Sequence, residues 1–584
     1  MKVNLRKWIA GLLCLLLIAG NVTFAGAQIT YSAAETVGAE SSDQGLLNRS
    51  YPENNEALDE EEQAQDADLV DEESDSQIID GEIDKKLEIP EDQEDALEEI
   101  TEGTQDIPDE NFAEISGVAD KTVDGYEEPL EADVEGSVEE HNLISHEPLD
   151  LELNLEDTAI GVQASEKDVA YNANKDELVT DVKDQGKYGT CWAFTASSLA
   201  ETSLIKNKVS VEGTTATKTN TDLSELHAAY FFYNRPSDPL GNTVGDKVII
   251  SSKYNYATIG GDTYLQAFSY ANGIGAVSES VLPYERIGAI STATAGNAYQ
   301  HPAAIQNAYF INNTNTEIKK AIVRYGSVGI SYYHAENNEQ LYYNDSTYAY
   351  SFPNWNTKLG VNHSVTVVGW NDNFSRSKFT STSRSGITKN GAWIVKNSWG
   401  KDWGDGGYYY ISYEDSSIYE AIAMEFQDGS QYDYNYQYDG APGIAYASVG
   451  SGGKIANVYK VKGSSKSGNE ILKAVNFALN STDINYSIQV YVDIQDRNNP
   501  TSGTAALKIP ETGVTSYSGI YTVDLDTDIA LSRGTYYSIV ITLKGKSTIN
   551  HFVETSYNGD GCIAKRQRQQ NKVLPAGVDL HGLI

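Results

Sequence analysis

The chain has 584 residues, with 84 acidic side chains against 42 basic ones and a formal charge of −42. Residues 28–165 hold 44 acidic and 4 basic residues, a net of −40, so the rest is close to neutral. No basic domain exists to meet phosphate, which excludes a nucleic-acid partner. Three cysteines in so long a chain exclude a disulfide-framed scaffold, so stability must come from packed cores.

Lys2, Arg6 and Lys7 precede an apolar run over 8–19, and Ala25 and Ala27 suit a signal peptidase, so residues 1–27 read as a secretory signal. That run is shorter than the roughly 20 residues a bilayer span needs, and no later segment offers one. The expectation is a secreted or cell-surface protein without integral membrane association. Residues 28–165 are rich in Glu, Asp, Gln and Ser and lack apolar periodicity, the pattern of a disordered acidic leader.

Composition changes near residue 166. Helical spacing appears over 191–206 and 223–234, and strand-like runs follow at 363–370, 391–397 and 407–413. Helices first and strands later predict an α+β domain of two unlike halves over 166–426. Beyond it, Val475, Phe477 and Leu479, then Ile488, Val490 and Val492, then Tyr537, Ile539, Ile541 and Leu543 alternate with other residues. Short alternating strands between Gly, Asn and Asp turns predict an all-β sandwich over 430–560. Residues 561–584 neither alternate nor resemble the sandwich and are expected to be an irregular tail. Asp524, Asp526 and Asp528 lack the glycine and closing glutamate of a calcium loop, so they read as a strand edge and no metal site is expected.

Cys191 opens the first helical run behind a glycine-containing loop, with Gln185 six residues before it. A lone thiol at a helix start meets backbone N–H groups and a macrodipole that favour thiolate. Cys14 falls in the signal, and pairing of Cys191 with Cys562 is the alternative that would silence the thiol. A nucleophilic thiol needs a base, and histidine has the right range. Of eight histidines, His141 and His146 lie in the leader and His581 in the tail, while His227, His301, His334 and His551 lack recognisable polar partners. His363 stands apart as a polar residue where an apolar strand begins. Asn397 ends another strand and is placed to orient its ring, with Trp399 two residues on to cover that hydrogen bond.

Gln185, Cys191 with Trp192, Asn362 with His363, and the run Asn397, Ser398, Trp399 and Gly400 stand in an order that resembles the papain-like cysteine peptidases. The resemblance spans roughly 166–426. It implies a two-lobed domain with a helical left lobe and a β-barrel-like right lobe, and no cofactor. It also implies Cys191 as nucleophile, His363 as acid/base, Asn397 as orienter, and Gln185 with the Cys191 N–H as oxyanion hole. Gly260 and Gly261 resemble the family's glycine pair that carries extended substrate backbone, with a plain turn as the alternative. Val361 and Asn362 are assigned to the neighbouring side-chain pocket.

Three departures stand out. Tyr188 occupies the position where many members carry a disulfide-forming cysteine, the leader shows no cleft-filling helix, and a Ser/Thr-rich insertion with Arg376, Lys378, Arg384 and Lys389 spans 371–390. The acidic leader is a candidate to dock on that basic loop, with two solvated segments as the alternative. The sandwich resembles the lectin-like domain that follows papain-like modules in some Gram-positive surface proteins, which implies a glycan or cell-wall ligand or a purely structural role. The expectation is a monomeric secreted cysteine endopeptidase acting on protein or peptide. The alternative is a surface adhesin that keeps the papain-like domain as a scaffold.

Overall fold

The computed structural model describes residues 165–554 except 251, 291–294, 357–358, 441–443 and 463–468, together with strands at 557–558, 562–565 and 580–583. Apart from a two-residue strand pair, Thr23–Phe24 with Ala27–Gln28, the signal and the acidic leader lie outside the described residues.

The helical half is built on α1 (Cys191–Lys206), which is buried at every position from Trp192 to Ile205. Such a helix must be surrounded, and α1 packs against α2 (Glu225–Tyr233), α3 (Thr263–Ala271) and the sheet of the other half. Ala193, Ala196, Ser197 and Ala200 let those neighbours approach, while Trp192, Leu199, Phe231, Phe232, Leu265 and Phe268 fill the core. Ser224 and Asp262 cap α2 and α3 by accepting the N–H groups of His227 and Leu265. Between these two helices lies the strand β1 (Lys247–Ile250).

The sheet half follows in chain order. It comprises β2 (Ala303–Phe310), α4 (Asn315–Tyr325), β3 (Val328–Tyr332), β4 (His363–Asn371), β5 (Ala392–Lys396), β6 (Tyr408–Ser412) and β7 (Glu420–Asp428). These strands pair antiparallel in the order β2-β7-β3-β4-β5-β6. Val328, Ile330, Val365, Val367, Trp370, Trp393, Val395 and Tyr409 form its core. The insertion after β4 is folded rather than loose. Phe374, Phe379 and Ile387 are buried as a small core of their own, and Arg384 donates to the carbonyls of Ser377 and Phe379.

Beyond residue 430 two sheets face each other. One contains β8 (Ile444–Gly450), β10 (Asn469–Leu479), β13 (Ser518–Ser532) and β15 (Thr548–Glu554); the other contains β9 (Lys454–Lys460), β11 (Ile484–Val492), β12 (Glu511–Thr515) and β14 (Tyr536–Lys544). Val475, Phe477, Leu479, Ile488, Val490, Tyr537, Ile539, Ile541 and Leu543 fill the space between them, as their alternation requires.

The sandwich is continuous with the sheet half, which no sequence pattern indicated. Strand β13 pairs with β2 in the register Ser518 to Phe310, Gly519 to Tyr309, Ile520 to Ala308 and Tyr521 to Asn307. Ala478, Ile520 and Phe552 join the core of the helical half, with the Phe552 ring 5.1 Å from Phe268 and 5.8 Å from Phe310. Residues 561–584, expected to be irregular, contribute β16 (Cys562–Lys565), paired with β1, and β17 (Leu580–Leu583), paired with β10. Edge pairing uses backbone groups that every residue carries, so these strands need no alternation.

The junction depends on glycine. A Cβ on Gly519 would stand 2.0 Å from the carbonyl oxygen of Ala308. Gly519→Ala is therefore expected to force the two strands apart, at a cost of about 1–3 kcal/mol, read as a lower calorimetric melting point. An unchanged melting point would show that the junction contributes nothing to folding.

Candidate active site

Cys191 is the first residue of α1, and its N-cap, Thr190, makes no side-chain cap. The helix start is thus left with free N–H groups beside the thiol. Cys191 is a free, half-buried thiol. Burial pushes it above its ordinary value, and Glu336 adds to the rise, while the backbone amides of Ser364, Trp192 and Cys191 itself pull it down.

His363 begins β4, and Asn397 follows the last residue of β5. The antiparallel register of Thr366 with Lys396 brings the two side chains together. His363 Nε2 lies 2.9 Å from Asn397 Oδ1, and the Trp399 ring stacks on the imidazole at 4.6 Å. Asn397 Oδ1 also accepts the Ser398 N–H, which fixes the amide so that His363 Nε2 is the donor. Burial pushes His363 down to about 3, the neighbouring His334 adds to the fall, and the Asn397 hydrogen bond opposes it.

Gln185 is tied to the same segment. Its N–H donates to the Ser398 carbonyl at 2.8 Å, and Ser398 Oγ donates to Gln185 Oε1 at 2.6 Å. The amide nitrogen donates one of its two hydrogens to the Tyr188 carbonyl at 2.6 Å. Tyr188, which replaces the family's cysteine, reaches the Ile287 carbonyl with its hydroxyl at 3.4 Å.

Gly260 and Gly261 sit beside α1. Gly260 has φ +88° and its carbonyl accepts the Tyr233 hydroxyl, while a Cβ on Gly261 would stand 2.1 Å from the Trp192 ring. Contact with Trp192 thus requires glycine at 261 before any substrate arrives. Val361 is half-buried, two residues before His363. The Asn362 side chain is engaged within the protein, accepting the His334 N–H at 2.6 Å and donating to the His334 carbonyl at 2.9 Å.

His334 went unrecognised in the sequence because nothing in its spacing marks it. It is buried with its ring stacked on Tyr350 at 4.9 Å and edge-on to Trp399 at 5.0 Å. Tyr409 donates to the Tyr332 hydroxyl, which then donates to His334 Nδ1, leaving Nε2 to donate to Glu339 at 3.1 Å. This chain fixes the tautomer of a second imidazole 6.1 Å from His363.

Behind these residues the halves meet through buried charge. Lys183 pairs with Glu201, Asp222 and Glu225 at 2.9, 2.7 and 2.8 Å, and Lys396 donates to Thr180, which bonds Glu201. Burial pushes Lys396 down to about 8 and Glu225 up to about 8, while Lys183 and Lys396 overcome it at Glu201 and hold that carboxyl below its usual range. On Lys183 the three carboxylates more than offset it and hold the ammonium above its usual range. Glu201→Ala would strip the carboxylate these cations share, so a loss of about 3–5 kcal/mol in denaturant unfolding is expected. A loss below about 1 kcal/mol, the level of an exposed pair, would contradict this account of the seam.

Residues 246–428 match the family model of papain family cysteine proteases, and 435–573 match that of a lectin-like domain. The first match takes in His363 and Asn397 and begins after Gln185 and Cys191. Among curated relatives, a cysteine protease of Blomia tropicalis is 27% identical over 252 residues, covering 41% of this chain and 60% of the relative. Cysteine endopeptidase Rep1 of Oryza sativa subsp. japonica is 29% identical over 257 residues, covering 42% of this chain and 54% of the relative. The chain thus spans little more than half the length of these relatives. The structure of the clostridial cysteine protease Cwp84 after propeptide cleavage superposes with a TM-score of 0.54 at 24% identity, covering 72% of this chain and 99% of that one. A second, of the protease and lectin-like domains of Cwp84, a surface layer associated protein of Clostridium difficile, gives 0.53 at 22%, covering 72% and 89%. The chain therefore carries a papain-like cysteine protease domain followed by a lectin-like domain.

Proposed function

We propose that the chain is a secreted cysteine endopeptidase, with Cys191 as nucleophile, His363 as acid/base and Asn397 as its orienter. The observation that carries this reading is the hydrogen bond of His363 to Asn397 under Trp399, beside a free thiol at the start of a buried helix. His363 takes the thiol proton, and the sulfur attacks the peptide carbonyl. The oxyanion is met by the Cys191 N–H and by the second hydrogen on Gln185 Nε2. Collapse gives a thioester while His363 hands its proton to the departing amine. Water, deprotonated by His363, then releases the acyl peptide and restores the thiol.

Gly260 and Gly261 are assigned to the acyl-side backbone of the substrate, and Val361 to a neighbouring side chain; Asn362 acts there by holding the His334 segment. The basic, then apolar, N-terminus supports export, and the likeness to a surface-layer associated protease supports action at a cell surface. The sandwich is assigned to glycan or cell-wall binding, and the protein to a monomeric state. Among the described residues no helix is long and apolar enough to cross a membrane.

Cys191→Ala is expected to abolish cleavage of a peptide library by the purified chain; unchanged cleavage would sink the mechanism. Gln185→Ala is expected to lower kcat by roughly 100- to 1,000-fold with little change in KM, the signature of a lost oxyanion donor. The acid limb of kcat/KM belongs to the Cys191 and His363 pair. Burial favours neutral His363, so the base stays available below the ordinary histidine range and the limb should fall below about 6.5. The Asn397 hydrogen bond raises the His363 pKa, so Asn397→Ala should move the limb to still lower pH while reducing kcat. A limb that moves upward would show that Asn397 does not stabilise the imidazolium.

A further inference from the structure

Two buried carboxylates that the proposed mechanism leaves unused are Asp262 from the helical half and Glu420 from the sheet half. They are 3% and 4% exposed. Asp262 Oδ1 accepts the Leu265 N–H, while Asp262 Oδ2 and the oxygens of Glu420 lack a well-formed hydrogen bond, with the Ser331 hydroxyl near Glu420. The neighbouring Tyr264 hydroxyl is occupied by the N–H and C=O of Ala421 at 3.0 and 2.8 Å. No cationic side chain among the described residues pairs with either carboxylate. Burial pushes Asp262 up to about 6, and burial with the charge of Asp262 pushes Glu420 well above the usual range, a rise that the nearby Ser331 hydroxyl only partly offsets.

Both groups are linked through their neighbours to the segments around the reacting thiol. Glu420 stands opposite Ser331, and Ser331 opposite Ser364, so the three project from one face of the sheet. Ser331 Oγ and Ser364 Oγ are 3.1 Å apart, and the Ser364 N–H reaches the Cys191 thiol. Two steps of about 4.8 Å across the strands therefore lead from the thiol's neighbour to the Glu420 backbone. From the other half, Asp262 directly follows Gly261, which lies on Trp192, and Thr263 Oγ1 donates to the Trp192 carbonyl at 3.3 Å.

We propose that Asp262 and Glu420 form the floor of a pocket for a lysine or arginine side chain on the acyl side of the scissile bond. This rests on the peptidase reading and on Gly260 and Gly261 carrying the acyl-side backbone. Two buried carboxylates without a counter-ion are costly, and a cation that sits between them removes that cost. A guanidinium offers a fork of N–H groups matched to carboxylate oxygens, and an ammonium offers three donors. A substrate with leucine at that position leaves the pair uncompensated and is disfavoured.

The test uses the purified full chain and fluorogenic peptides in which each of the three acyl-side residues is varied in turn. At one position lysine or arginine should exceed leucine in kcat/KM by tenfold or more. Glu420→Gln should cut that ratio by roughly 30-fold, as loss of one partner of a buried charge pair does, and Asp262→Asn, which keeps the helix cap, should act likewise. Cleavage without a basic preference at any position overturns the pocket and leaves the peptidase reading intact. A basic preference that neither variant reduces also overturns it. If no peptide is cleaved by a chain that unfolds cooperatively, the peptidase reading falls and the pocket with it. Should a variant fail to fold, the wild-type profile alone decides.

Discussion

The paired hydrogen bonds between Ser398 and Gln185 are the constraint on which the rest of the site depends. One runs from the Gln185 N–H to the Ser398 carbonyl, the other from the Ser398 hydroxyl to the Gln185 amide oxygen. Ser398 follows Asn397 and Gln185 precedes Cys191, so these bonds bind the end of β5 to the loop that enters α1. They add to the packing of α1 on the sheet and to the Lys396–Thr180–Glu201 link a direct tie between the segment that carries Asn397 and the segment that carries Cys191. With them, the same two residues orient the Gln185 amide and hold Asn397 under the Trp399 ring.

That seam lies in a buried, charged interior, which explains its electrostatic character. Burial raises the Cys191 thiol and lowers His363, so each alone favours its neutral form. The Ser364, Trp192 and Cys191 amides oppose the rise at the sulfur, and the Asn397 hydrogen bond opposes the fall at the imidazole. Lys183 and Lys396 lie close behind, facing Glu201 and Glu225, so the interior balances cations against carboxylates before any substrate arrives. Asp262 and Glu420 are buried carboxylates that no lysine or arginine of that group reaches.

Much of this was readable in the chain because it is local. The helix opening at Cys191, the polar residue beginning an apolar strand at His363 and the amide ending another at Asn397 are each marked within ten residues. The inward residues of the sandwich followed from period-two alternation. His334, Asp262 and Glu420 escaped because their roles arise from packing between distant segments. The same holds for the substitute at Tyr188, whose partner Ile287 lies about a hundred residues away. Strands β16 and β17 escaped for a different reason, since backbone pairing at an edge leaves no side-chain signature.

The strand junction at Gly519 has a temporal consequence. Strand β2 closes its ladder with residues 518–521, about two hundred positions further along the chain. A ribosome adding roughly 5–20 residues per second takes on the order of 10–40 s to supply them. During that interval β2 is an open edge, and the core around Phe268 and Phe310 lacks Phe552. The catalytic halves therefore reach their final packing only after the sandwich has been made, so a nascent chain carries its thiol long before it carries a finished cleft.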